Sequence, residues 1–356
     1  MKAGISLVDL ARQIQETQDA SRDYIATANA VTLVPDPLGE REILTQFEAG
    51  FDDIRLETGD IAHQQIREFV GIPAAYYRRM QSEDPKLLCD NVNRWLRDDD
   101  RKRMIRTVGP RARAFLSNSY QRIDNYQVAS AILPALHEYP DLQFQSMQIT
   151  ERKMYIKASL PSLRADVSAK QVGDVVEAGI AITNSETGMG RFSVVPYSNR
   201  LWCTNGCYHN VYAKAKTHLG QKVQNEGLLA DDTKAAQDKA LMLEARDVVK
   251  GMLDGVLFNK IVEDIRETTR REIGGDPVKS VEVLADTVGL NGDEQGGVLH
   301  HLIKGGDLSQ WGIVNAVTAF AQDDAVTYDR ADELEQIGGK LIDLNQSQWE
   351  RIAQAA

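Results

Sequence analysis

Apolar residues open the chain at helical spacing. Leu7, Leu10, Ala11 and Ile14 share one face and predict a helix across 6–30, although the stripe fades at Gln18. The run VTLV (31–34) reads as a short strand stopped by Pro35 and Pro37. Residues 42–51 fit a strand or a helix equally well. A helix over 59–70 carries Ile61, Ile66, Phe69 and Val70, with Asp60 as its N-cap and Gly71 as its stop. Pro73 opens the next helix. Another spans about 84–97, with Leu87, Leu88, Val92, Trp95 and Leu96 turned inward. The first hundred residues are therefore expected to be mainly helical.

The period then shortens. Short strands are expected at 104–108 and 113–116, around a turn at Gly109-Pro110. Val128, Ile132, Leu133 and Leu136 mark a helix over 125–139, capped by Asp124 or Asn125 and kinked or divided at Pro134. Alternating patterns at 142–150, 152–160, 174–185 and 191–199 predict four more strands. The fold class is α+β, with a central antiparallel sheet over about residues 104–200, helices on one of its faces, and helical regions before and after it. Helical spacing returns after Val211. A long helix or a pair covers 233–262, broken near Gly251 and Gly255, and is extended through 272. Shorter helices end at Gly289 and Gly305-Gly306, and one capped by Ser309 runs through Phe320. The segment 332–356 is weakly amphipathic.

Charge sharpens this picture. Residues 1–100 carry 11 Lys and Arg against 19 Asp and Glu, a net −8; residues 101–217 carry 16 against 8, a net +8; residues 218–356 carry 14 against 25, a net −11. The organisation is thus an acidic helical region (1–100), a basic sheet core (101–217) and an acidic helical region (218–356). Such asymmetry points to anion binding by the middle, or to an acidic flank packed on it. Arg101, Lys102, Arg103, Arg106, Arg111 and Arg113 fall within 13 residues, and Tyr120 and Arg122 follow. Arginine beside aromatic rings suits phosphate and base contact. It also suits a solvated strand edge, and Asp98–Asp100 could pair with Arg101–Arg103. An apolar fraction of 42% and a charged fraction of 26% are those of a globular protein. Three cysteines, an absence of 18-residue apolar runs and a polar N-terminus point to a reducing, cytoplasmic setting without a membrane span.

Chemistry-bearing motifs are sparse. Cys203, Cys207 and His209 form C-x3-C-x-H, which suggests zinc or a cysteine nucleophile, but no fourth ligand has matching spacing. Buried thiols and a tight turn at Thr204-Asn205-Gly206 are the simpler reading. SETGMG (185–190) lacks the third glycine and the helix start of a dinucleotide fingerprint and reads as a turn between strands. No phosphate-loop, H-E-x-x-H or G-x-S-x-G motif occurs. No cofactor and no catalytic residue is assigned.

GIPAAYYRRM (71–80), RAFLSNSYQRIDN (113–125), AGIAITNSETGMGRFSVVPYSNRLWCTNG (178–206) and VLADTVGLNGDEQGGVLHHLIKGGDLSQWGIVNAVT (283–318) occur in that order. In these segments the chain resembles the phage- and plasmid-borne family catalogued as domain of unknown function 932. The resemblance implies one evolutionary unit and an origin in mobile elements, and it carries over no catalytic residue. With the basic middle, it leads to the expectation of a non-enzymatic nucleic-acid-binding protein, acting in single-strand DNA annealing or recombination as a homo-oligomer. Arg101, Arg103, Arg106, Arg111, Arg113 and Arg122 would neutralise phosphates, with Arg152, Lys153, Arg191 and Arg200 as outer contacts. Tyr120, Phe192 and Tyr197 would stack on bases. The alternatives are a protein-interaction or self-assembly module and, third, a metal- or cysteine-dependent enzyme built on Cys203, Cys207 and His209.

Overall fold

The computed structural model describes residues 1–36, 43–49, 52–168, 173–202, 205–209 and 231–355. Helix α1 (Leu7–Ala20) is capped by Ser6, whose hydroxyl accepts from the Asp9 amide. It stops ten residues before the pattern suggested. Ser21–Thr27 is instead strand β1, paired antiparallel with β5 (Lys102–Val108). That pairing overrides the local helical preference of an alanine-rich stretch. Strands β2 (Thr32–Pro35), β3 (Ile43–Ala49) and β4 (Asp52–Thr58) follow. Ile43, Thr45 and Phe47 are buried in alternation, so residues 43–49 of the ambiguous 42–51 segment form a strand. Pro35 is tolerated because β2 is an edge strand.

Helices α2 (Asp60–Val70), α3 (Ala74–Glu83) and α4 (Pro85–Leu96) lie where the periodicity placed them, but Leu87 and Trp95 of α4, expected inward, are exposed. Gly59 rather than Asp60 is the N-cap of α2, and Gly71 ends it at φ 73°. Strand β6 (Arg111–Ser117) completes a six-stranded sheet ordered β1-β5-β6-β4-β3-β2. Its core joins Leu33, Phe47, Ile105 and Phe115 to Ile66, Tyr77, Leu88, Val92 and Leu96 of the three helices.

Helix α5 (Asn125–His137) has a capping box on Asp124 and runs through Pro134 as one element. Strands β7 (Gln143–Ile149), β8 (Met154–Asp166), β9 (Val175–Asn184), β10 (Ser193–Arg200) and β11 (Asn205–Tyr208) form a second, antiparallel sheet ordered β11-β10-β9-β8-β7. The α+β class and the helical N- and C-terminal regions stand. The expected central sheet, however, is divided. Strands β5 and β6 pair with residues 21–58, so the first sheet crosses the boundary drawn at residue 100.

The second sheet is covered on both faces rather than one. Met154, Ile156, Ala158, Ile180, Ile182 and Val194 pack on α1, α5 and α6 (Asp231–Met252). The opposite face carries Tyr155, Lys157, Tyr197 and Tyr208, and it meets the C-terminal bundle. That bundle is α7 (Gly255–Thr268), α8 (Pro277–Val288), α9 (Gly292–Gly305), α10 (Gln310–Phe320), α11 (Tyr328–Ile342) and α12 (Gln346–Ala353). Its core centres on Trp311, Val314, Val317 and Leu334. Gly339 lets α11 lie directly on β11, because a Cβ there would overlap the Tyr208 carbonyl oxygen.

Candidate nucleic-acid interface and ligand cleft

Most of the basic middle is neutralised inside the molecule. Arg106, expected at a phosphate, is 4% exposed. It donates to Asp23 (2.8 Å), to Asp124 (2.6 Å) and to the Glu186 carbonyl (2.9 Å). Burial opposes its charge, but the two carboxylates outweigh that and raise its pKa. Arg113 pairs with Glu186 at 2.9 Å, and Glu186 also accepts the Asn125 amide. Arg122 pairs with Asp23. The SETGMG turn is therefore the clasp between the sheets: its Glu186 and Thr187 are held by β5, β6 and α2, with Gln65 donating to the Thr187 carbonyl.

The remaining expected phosphate ligands are also engaged. Arg111 bridges Glu57 (3.2 Å) and Glu151 (2.7 Å). Arg101 pairs with Asp99 at 2.6 Å, as the adjacent aspartates suggested. Arg103 lies over the Phe69 and Phe115 rings and donates to the Phe115 carbonyl; burial, then neighbouring Arg101, pulls its pKa down to about 10. Arg200 is buried against Asp174 (2.5 Å), whose other oxygen accepts from Trp311 Nε1 (2.9 Å). The stacking roles do not fit either. Phe192 is 3% and Tyr197 1% exposed, both inside the sheet's cores, and the Tyr120 hydroxyl is tied to the Ser185 carbonyl. Tyr197 serves packing because its position on β10 faces a covered side of the sheet, and Phe192, just before β10, is buried in the core on the other side.

Three expected ligands remain: Arg191 is exposed and Arg152 and Lys153 are half-buried, whereas Arg101 and Arg122 are exposed but ion-paired. Arg152, Lys153 and Arg191 occupy the end of the second sheet where the β7–β8 and β9–β10 connections meet, as the pairings Met154↔Asn184 and Thr183↔Ser193 require. None forms an ion pair among the described residues. Lys153 packs beside Gly190, next to Arg191.

The acidic C-terminal region docks on the sheet through charge. Lys157, 3% exposed, contacts Glu335 (2.5 Å) and Asp332 (3.2 Å) of α11. Burial works against its ammonium, but Glu335 and Asp332 more than offset it and raise the pKa. Tyr208 donates to Asp332, and Tyr155 donates to Asp329 at 2.5 Å. Sequence reading passed over Lys157 because its neighbours Ile156 and Ala158 mark a plain strand.

Cys203 lies outside the described residues. Cys207 is 2% exposed, and burial pushes its thiol up to about 12. His209, 2% exposed, is brought down to about 3 by burial. Its Nε2 lies 2.9 Å from Ser198 Oγ and 3.8 Å from Cys207 Sγ. The thiol therefore stays protonated, and the pair packs as core instead of forming a nucleophile and base. Among the described residues no three His, Cys, Asp or Glu side chains cluster to hold a metal ion.

A cleft of about 480 Å³ opens at the far end of the same sheet, between the exit of β10, α9 and α10. Arg200 and Trp202 wall one side; His301, Lys304 and Asp307 wall another; Gly312, Asn315, Ala316 and Ala319 of α10 and Gln322 and Asp323 just after it line the rest. His301 Nε2 is 3.0 Å from Asp323. Gln322 donates to Glu335 and to the Thr318 carbonyl, but its enclosed Oε1 has no donor among the described residues. The cleft escaped sequence reading; its one local signal is the spacing of Gly312, Ala316 and Ala319 on one face of α10.

No family model, curated protein or solved structure matches this chain.

No helix among the described residues is long and apolar enough to cross a membrane.

Proposed function

We propose that this protein binds single-stranded nucleic acid, contacting phosphates with the sheet tip formed by Arg152, Lys153 and Arg191. One observation carries the reading: these cations converge at one end of the sheet without an anionic partner among the described residues, while the expected ligands at Arg106, Arg111, Arg113, Arg122 and Arg200 are matched internally. With Phe192 and Tyr197 buried, the contact is to backbone only, and bases stay free to pair. Annealing of complementary strands is the activity such a contact serves best. Three cations per chain are few, so the reading includes a homo-oligomer that aligns several tips and gains by multivalency. The resemblance to phage- and plasmid-borne proteins supports the same direction and rests on the quoted residues alone.

Anisotropy of a labelled single-stranded oligonucleotide, measured across salt concentrations, tests this. Each neutralised phosphate contributes about −0.7 to the slope of log affinity against log salt. One tip should therefore give roughly −2. Replacing Arg152, Lys153 and Arg191 together with alanine should abolish binding without lowering the melting temperature. No binding at low salt, or binding untouched by the triple substitution, refutes the proposal.

A protein-interaction reading has its own observation. Tyr76, Leu87 and Trp95 are 47%, 44% and 60% exposed on the α3–α4 hairpin, and Asn91 joins Leu87 and Trp95 at successive helical turns. Self-association that resists salt, with no oligonucleotide binding, would favour it.

A further inference from the structure

The cleft between β10, α9 and α10 has the components of a small-molecule site, and it lies apart from the sheet tip. The eight residues of β10 (Ser193–Arg200), about 26 Å of strand, lie between Arg191 and Trp202. Three features define its chemistry. Trp202 is 59% exposed at the wall; Trp311 and Trp349 are buried, and the other exposed indole, Trp95, lies on α4 and not in this cleft. Ala316 and Ala319 put small side chains on the floor, and Gly312 lets the Asp307 carbonyl pack directly on α10. Lys304, exposed on the last turn of α9, forms no ion pair among the described residues, while the Asp323 carboxylate lines the same cleft with His301 Nε2 at 3.0 and 3.1 Å from its two oxygens.

We propose that this cleft binds a nucleoside monophosphate. The base stacks on Trp202, as bases do on accessible indole rings. Its ring or amino N–H donates to the Asp323 carboxylate, and Lys304 takes the phosphate. A volume of about 480 Å³ lies in the range of small-molecule sites. The small floor residues admit the thickness of a base without displacing the bundle. The inference goes beyond oligonucleotide binding at the tip.

The test is a titration of the whole protein with AMP, CMP, GMP and UMP, followed by tryptophan fluorescence and calorimetry. Adenosine and ribose 5-phosphate are the controls. Saturable quenching is expected with at least one monophosphate. Trp202→Phe should remove the quenching and weaken binding. Lys304→Ala should weaken the monophosphate by about tenfold or more while leaving the nucleoside unchanged, with thermal melts confirming that both variants fold. No saturable binding by about 1 mM of any monophosphate, or equal affinity in both variants, overturns the inference. Binding of ribose 5-phosphate as tight as the nucleotide, with Trp202 unaffected, also overturns it. Because tip and cleft lie at opposite ends of β10, oligonucleotide binding without monophosphate binding sinks this inference alone, and the reverse result sinks only the proposed function.

Discussion

Single side chains in this protein are specified by where their partners lie. His63, on α2, is 6% exposed, and its Nδ1 is 2.7 Å from the Tyr77 hydroxyl. Burial lowers its pKa from 6.5 to about 4. The unfolded chain then takes up a proton near 6.5 that the folded protein refuses until about 4. Stability from this site is present above pH 6.5 and lost as pH falls through that window. His209, lowered to about 3, adds in the same direction. Asp343, raised to about 6 by burial and then by Asp264, opposes them. Glu335, which burial also raises, acts with Asp343, and the two histidines set against these two carboxyls predict a lower melting temperature at pH 5 than at pH 7. His63→Gln keeps a partner for Tyr77 and should flatten that dependence; an unchanged pH profile would contradict the assignment.

At the level of elements, α11 carries the acidic C-terminal region onto the second sheet. Its acidic face supplies Asp329, Asp332 and Glu335 to Tyr155, Tyr208 and Lys157. Removing one member of a buried ion pair leaves an uncompensated charge and costs about 3–5 kcal/mol. Lys157→Met should therefore destabilise the protein strongly in urea unfolding, and replacing Asp332 and Glu335 as well with apolar residues should recover much of the loss. Helix position depends on backbone approach too. Gly339→Ala would force α11 away from the Tyr208 carbonyl, with an expected loss of about 1–3 kcal/mol from overpacking. Alanine is a better helix former than glycine, so a gain in stability would show that the approach is looser than described.

For the whole molecule, the two sheets are joined by the Arg106 network and the 185–187 clasp. Arg106→Gln leaves Asp124 without its counterion and Asp23 with Arg122 alone, a cost of up to about 3–5 kcal/mol, and it loosens the junction itself. The native protein is expected to unfold in one step. The variant should show two, with Trp95 in the first lobe reporting separately from Trp311 and Trp349 in the second. Coincident transitions in the variant would mean that other contacts couple the lobes.

Much of the secondary structure was legible in the chain because hydrophobic period, caps and breakers act locally. The helices from 60 to 97, the helix after Asp124, the meander from 143 to 200 and the glycine-ended helices near 289 and 306 all follow from such signals. The segregation of charge was equally plain, and Asp99 paired with Arg101 as neighbours in sequence can. Which strands share a sheet was not legible. Ser21–Thr27 becomes a strand only by pairing with residues 102–108, and a pairing across some 80 residues leaves no local period. The fate of each arginine was hidden for the same reason. Arg106 meets Asp23 and Glu186, Lys157 meets Glu335, and Trp202 meets α9 and α10 only after the chain closes on itself. Local pattern states which face of an element is apolar and how much charge a segment carries. Tertiary packing decides which charges desolvate one another and which three cations are left at the sheet tip.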